Sequence, residues 1–249
     1  MNVIIHQLKE MNLEGMRQAL ILLKEAGEYQ SEDFIPLLTH LINAEREYRQ
    51  EKKSLALNRQ ARFRYNASLQ TVLTGKERNL EKAQLLRLAE GRYIRQGQSL
   101  LITGPTGAGK SWVASALGQK ACCQGFKTLY FNCSKLWAKL RLARRRDKYE
   151  KEIKIISKAD LLILDDFGIS KLEPSDRLSL LEILEDRWGK AATIVVSQRP
   201  LNTWHEILGE PTIADAICDR LFSNSEKIEL KGDSLRKTHL PIASNLPLG

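Results

Sequence analysis

The 249-residue chain is 43% hydrophobic and 28% charged, proportions of an ordinary soluble globular protein with room for one sizeable core and a smaller appendage. Its 39 Lys and Arg against 30 Asp and Glu leave a formal charge of +9, which favours an anionic partner, nucleic acid before an anionic membrane surface. No apolar run reaches the roughly eighteen residues of a membrane span, and the opening MNVIIHQLKEMN lacks the pattern of a signal peptide, so a cytoplasmic protein is expected.

The first predicted elements are helical. Met11 to Ala26 carries apolar residues at helical spacing, with Gly27 placed as a C-cap. Ser31 reads as an N-cap, followed by Glu32 and Asp33 where the helix dipole favours anions. Phe34, Leu37, Leu38, Leu41, Ile42, Glu45 and Tyr48 then recur at three-to-four spacing, and the same helix is expected to run on through Arg46, Arg49, Lys52, Lys53, Arg59, Arg62 and Arg64. Its basic half reads equally well as a phosphate-touching end or a solvated face. Residues 1–65 thus form a small all-α domain that would contact partners or DNA, and 66–97 a mostly helical connection.

From about residue 98 short apolar runs alternate with amphipathic stretches, the signature of a parallel α/β sheet. Five strands are expected at Ser99–Thr103, Thr128–Asn132, Leu161–Asp165, Thr193–Ser197 and Lys227–Leu230, with helices at about 110–123, 134–157, 175–188 and 212–222. The core therefore spans 98–232, and the tail 233–249, with two prolines, is expected to be loose. Cys122, Cys123, Cys133 and Cys218 make no CxxC pair, which argues against a zinc site or a disulfide framework and suits a reducing compartment.

Gly104-Pro105-Thr106-Gly107-Ala108-Gly109-Lys110-Ser111 matches the P-loop pattern between an apolar strand and a helix. Glycines let backbone N–H groups turn toward phosphates, and the helix N-terminus adds a field that favours anions. Lys110 would reach the β- and γ-phosphates of ATP, and the Ser111 hydroxyl would ligate Mg²⁺. Ligands bind at the carboxyl ends of parallel strands, so the run Leu161 to Asp166 places Asp165 as the Walker B magnesium ligand and Asp166 where it can polarise an attacking water. Ser197 or Gln198, ending the next strand, is the candidate γ-phosphate sensor, and Arg236 a second one. Arg220, near a helix end, is the candidate arginine finger for the ATP of a neighbouring subunit. Ser134 to Lys154 holds nine basic and three acidic residues, and Lys135, Lys139, Arg141, Arg144, Arg145 and Arg146 are the candidate DNA contacts. His205-Glu206 lacks the second histidine of a zinc peptidase, and His6, His40 and His239 stand alone, so no other metal is expected.

Taken together, GPTGAGKS, LLILDDFG, LLEILEDRWGKAATIVVSQRP, WHEILGEPTIADAICDRL and IELKGDSLRK resemble the IstB-like family over about residues 30–238. That resemblance implies an AAA+ P-loop NTPase of the initiator branch, related to DnaC-like helicase loaders. Such proteins assist the transposase of bacterial insertion sequences. It further implies a basic helix inserted after the second strand, at about 134–146, and ATP-dependent homo-oligomers on duplex DNA with Arg220 acting between subunits. Many relatives carry Glu where Asp166 stands, and the helical lid common in this class is abbreviated here. The expected function is an ATPase that assembles on DNA and recruits or activates a transposase. A helicase loader and a nucleotide-switched binding protein with little turnover are the alternatives.

Overall fold

The computed structural model describes residues 2–27 and 33–235, so Ser31, Glu32 and Arg236 lie outside the described residues. Two compact units divide the chain: one takes the residues up to Leu57 with Cys123–Gly125, the other takes Asn58–Cys122 and everything from Phe126 onward. The boundary thus falls earlier than the expected residue 65.

Among its described residues the first unit is helical: α1 (Asn2–Glu10), α2 (Glu14–Ala26) and most of α3 (Phe34–Ala61). The expected helix from Met11 starts later because Asn12 adopts φ +57°, a left-handed turn that Asn tolerates better than most residues. Gly27 ends α2 at φ +74°, its N–H donating to Leu23 O and Lys24 O. Gly15 lets α2 press on α3, since a Cβ there would lie 2.5 Å from Ala44 O. At the same crossing the buried Glu45 carboxylate accepts from Gly15 N (2.7 Å) and Met16 N (3.2 Å), filling orphan donors at the start of α2. Burial pushes the Glu45 carboxyl up, but hydrogen bonds from Arg49 and from those two N–H groups outweigh it and hold the group below its ordinary value. The long helix stops at Ala61 rather than continuing to Arg64, because Arg62 turns the chain at φ +57°.

The second unit begins with a less helical connection than expected. Two single 3₁₀ turns, Leu69–Thr71 and Lys76–Arg78, precede the short α4 (Lys82–Ala89) and α5 (Arg92–Arg95). The elements that follow are β1 (Ser99–Thr103), α6 (Lys110–Cys123), β2 (Thr128–Asn132), α7 (Cys133–Arg145), α8 (Tyr149–Ser157), β3 (Leu161–Phe167), α9 (Pro174–Arg187), β4 (Ala192–Ser197), α10 (Trp204–Leu208), α11 (Pro211–Phe222) and β5 (Ser225–Glu229). The five strands form one sheet in the order β2-β3-β4-β1-β5, and every pairing is parallel.

Because β1, β3 and β4 are covered on both sides, their central residues form apolar runs, Leu100–Ile102, Leu161–Leu164 and Ile194–Val196. Leu100, Ile102, Ile163, Ile194 and Val196 face one core with α4, α5 and α6. Leu101, Leu162, Leu164 and Val195 face the other with α7 to α11, where buried Trp204 packs on Phe167 and Phe222. The expected helix 134–157 is two helices, broken where Asp147 adopts φ +52° and Lys148 N returns to Ala143 O. Its apolar residues keep helical spacing on either side of the break, so periodicity alone misses it. Strand β5 starts and ends slightly before its expected span, and α10 was not expected.

One internal polar staple had no motif. Arg187 is 1% exposed, and its guanidinium donates to Ala159 O (2.6 Å), Ile156 O (3.0 Å), Thr193 Oγ1 (3.2 Å) and Ala192 O. It ties the end of α8 to the starts of β3 and β4, and burial lowers its pKa to about 10.

Candidate nucleotide site

The residues of the P-loop leave β1 and enter α6 through three left-handed glycines: Gly104 at φ +138°, Gly107 at +83° and Gly109 at +88°. The first is also closed to any side chain, since a Cβ on Gly104 would lie 2.2 Å from Leu230 O. Lys110, the first residue of α6, is 6% exposed and donates from Nζ to Pro105 O at 2.8 Å, folding back over the loop. Arg78 braces the loop from outside, donating to Ala108 O (2.5 Å) and to Asp233 O (3.0 Å). Leu235 N donates to Gly107 O at 3.0 Å, which lays the segment after β5 against the loop.

The carboxylates converge from β3. Asp165 is fully buried, and its Oδ1 accepts from the Ser111 hydroxyl and from Asp166 N, both at 2.9 Å. Its Oδ2 accepts a short bond from the Tyr130 hydroxyl of β2. Burial first, then the neighbouring Asp165 charge, pushes the Tyr130 phenol far up, so it stays a protonated donor. The register of β3 against β4 shifts between Leu164 and Phe167, and within that irregularity Asp166 stands at φ +60°. Asp166 Oδ2 accepts from Asn132 Nδ2 (2.8 Å) and Arg64 Nη1 (2.9 Å). Just past β4, the candidate Gln198 accepts a 2.6 Å bond from Thr106 of the P-loop. Ser197 is fully buried and donates to Phe167 O instead, bracing the end of β3.

The donor set fits a nucleotide with magnesium. Left-handed glycines shape the loop backbone, and the Ser111 hydroxyl with the Asp165 carboxylate are hard oxygens that could hold a magnesium ion. Among the described residues no cluster of three His, Cys, Asp or Glu could hold a metal unaided.

The profile of the IstB-like ATP binding protein family matches residues 6–243. The chain belongs to that family. An insertion sequence ATP-binding protein of Sinorhizobium fredii, y4pL, is 41% identical over 233 residues, 94% of this chain and 95% of that one. The IS1162 ATP-binding protein of Pseudomonas fluorescens is 38% identical over 200 residues, 80% of this chain and 87% of the relative. Among solved structures, the DnaC helicase loader superposes with a TM-score of 0.59 at 19% identity, covering 67% of this chain and 98% of its own. DnaA from Aquifex aeolicus, bound to AMPPCP, gives 0.59 at 17% identity over 70% of this chain and 53% of its own. At those identities the two structures speak to fold alone: this IstB-like protein has the AAA+ P-loop architecture, preceded by a helical region.

Two further groups in the IstB-like chain lie away from the P-loop. Arg220, near the end of α11, donates to Ala216 O (2.9 Å) and to Glu185 Oε1 of α9 (2.8 Å), so within its own chain it is not brought to the Walker residues. The basic helix α7 buries Leu136, Trp137, Leu140 and Ala143 and is N-capped by Asn132, whose side chain accepts from Lys135 N. Three of its six candidate DNA contacts have partners in the fold. Lys139 pairs with Glu152 (2.5 Å), Arg141 with buried Asp176 (2.6 Å), and Arg144 stacks 3.6 Å from the Tyr149 ring centroid while donating to Ser179. Lys135, Arg145 and Arg146 are exposed.

Tyr130, Asn132, Arg64 and Arg78 were not singled out from sequence as site residues. Asn132 had a readable signal: a polar residue closing an apolar strand, and the register sets it opposite Asp165. Arg64 looked like one more cation of a basic helix, and Arg78 had no pattern at all. Among the described residues no helix is long and apolar enough to cross a membrane.

Proposed function

We propose that this IstB-like protein is a magnesium-dependent ATPase that assembles on duplex DNA and there recruits or activates its transposase. The observation that carries the ATPase half is the Ser111–Asp165 bond, 2.9 Å, with Asp166 next in the chain at the carboxyl end of β3. It joins the hydroxyl and carboxylate that a P-loop site uses to share one cation with the phosphates.

In this reading Lys110 leaves Pro105 O to pair with the β- and γ-phosphates, while the P-loop N–H groups hold their oxygens. Ser111 and Asp165 would hold magnesium, whose charge offsets that of the transferring phosphoryl group. Tyr130, kept protonated, fixes the Asp165 carboxylate from behind. Asp166 orients water in line with the γ-phosphate and takes its proton, and Gln198 reports the γ-phosphate through Thr106. Arg220 leaves Glu185 to reach the ATP of the next subunit, a role that contributes roughly 10³–10⁵ in rate where it has been measured.

The DNA half rests on α7 and on the names of the relatives. Lys135, Arg145 and Arg146 offer exposed charge to phosphates without reading bases, so duplex binding is expected to be largely sequence-independent and steeply salt-dependent. The protein works in the cytoplasm, on the nucleoid when bound. The insertion sequence relatives favour the transposition role over helicase loading, because they match at 41% and 38% identity while the helicase loader matches in fold alone.

The test is ATPase rate against protein concentration, with and without duplex DNA, for the wild type and Arg220→Ala. A rate that climbs steeply with both, and falls by about 10³ in the variant, supports shared sites assembled on DNA. A rate indifferent to concentration, DNA and Arg220 would leave only nucleotide binding.

A further inference from the structure

The Walker carboxylates have a cation of the chain's own beside them. Arg64 Nη1 lies 2.9 Å from Asp166 Oδ2 and 3.5 Å from Asp165 Oδ2, and its side chain is 40% exposed. Asp165 is fully buried, so without a counter-charge its carboxylate would be expensive to keep ionised.

The position of Arg64 is built, not incidental. Phe63 packs edge-on to Tyr130, ring centroids 6.1 Å apart, and lies over Gly118 of α6, where a Cβ would come within 2.4 Å of its ring. Gly is disfavoured relative to Ala in a helix interior, and here its missing side chain makes the space for Phe63. On the other side Tyr65 packs against Trp112 at 5.4 Å and accepts from Gln119 Nε2 at its carbonyl, 3.0 Å. Both neighbours of Arg64 are thus anchored on the elements that frame the nucleotide site. The left-handed Arg62 just before them ends α3 and turns the chain so that this anchoring is reached.

We propose that Arg64 is the resident counter-cation of the Asp165–Asp166 pair, displaced when a divalent cation binds, and that it thereby sets the magnesium concentration at which the site loads. This rests on the reading of Asp165 as the magnesium ligand. A guanidinium within 3.5 Å of both carboxylates competes with any cation that needs the same oxygens. While it stays in place, the oxygen of Asp166 that it shares with Asn132 is also occupied by two donors.

The experiment is binding of a fluorescent ATP analogue to the full chain across a magnesium titration, paired with direct Mn²⁺ binding followed by EPR. Wild type, Arg64→Gln, Arg64→Lys and Asp165→Ala are compared, with thermal unfolding as the check on folding. Removing a partly exposed competing charge should lower the half-saturating Mg²⁺ and Mn²⁺ concentrations about three- to tenfold in Arg64→Gln. Arg64→Lys, which keeps the charge, should return both toward wild type. A folded Arg64→Gln with wild-type or raised midpoints overturns the proposal, as does an Arg64→Lys that behaves like Gln. If Asp165→Ala abolishes the metal response while Arg64→Gln leaves it unmoved, only this inference fails. If wild-type binding ignores the metal, the Walker B reading fails and takes the inference with it.

Discussion

The P-loop and the basic helix α7 were both marked by a short local signature, yet the fold treats them differently. The P-loop signature is a statement about backbone: its glycines occupy left-handed conformations wherever the chain folds as a strand, loop and helix. The signature of α7 is a statement about charge, and charge on a helix has no fixed meaning until its neighbours are known. Asp176, Glu152 and Ser179 come from elements 13 to 35 residues further along and engage half of the candidate DNA contacts. A motif built on conformation carries its own context, whereas one built on charge takes its context from tertiary neighbours.

The comparison is sharpened most by a substitution in the carboxylate pair. Asp166→Asn should keep ATP bound and slow hydrolysis about 10²–10³-fold, read by single-turnover kinetics beside a binding assay. Equal loss of binding and turnover would show that Asp166 belongs to the cradle instead. Next in size is the double change Arg145→Ala, Arg146→Ala. If the exposed end of α7 meets phosphates, it should weaken duplex binding about tenfold or more at moderate salt and reduce the slope of log K against log salt by up to about 2, with thermal stability unchanged.

Arg141→Ala should do the reverse. It leaves buried Asp176 without its 2.6 Å partner, so a loss of about 1–3 kcal/mol in unfolding free energy is expected, with a smaller effect on DNA affinity. If instead Arg141→Ala matched the Arg145, Arg146 pair on DNA and left stability intact, the division of α7 into bonded and presenting residues would be broken.

The smallest effect lies in the helical unit. The Glu45 carboxyl is held below its ordinary pKa, so its contribution is complete above the ordinary carboxylate range and disappears as pH falls through the lowered value. Helix unfolding of Glu45→Gln should therefore trail wild type by about 1 kcal/mol at neutral pH and converge with it in acid. A gap that persists unchanged in acid would assign the stability to packing at Gly15 rather than to the carboxylate.

Much of the site was legible before any coordinates. Residues from Gly104 to Ser111 carry a pattern that local backbone geometry enforces, and Leu161 to Asp166 reads as a buried strand whose last residues reach the ligand end of the sheet. Ser99–Thr103 and Thr128–Asn132 appear with the expected bounds, because each is a short run with an apolar centre set between turn residues. The break at Asp147 was hidden, since a left-handed residue between two amphipathic helices leaves their apolar spacing intact. Arg64 was hidden for a related reason: at helical spacing from other basic residues it looked like a continuation, and only the turn at Arg62 takes it out of that helix.

By itself, then, the sequence determined whatever depends on a residue and its near neighbours in the chain: the phosphate-binding loop, the five strands, the capped helix ending at Gly27 and the amphipathic body of α7. Only the tertiary structure decided the order β2-β3-β4-β1-β5 and the pairing of Arg64 with Asp166 across 102 positions. The physical reason is one of range. Backbone conformation and helix periodicity are set within a few residues, whereas which charges share a buried site follows from how the strands close into a sheet, and no local pattern encodes that closure.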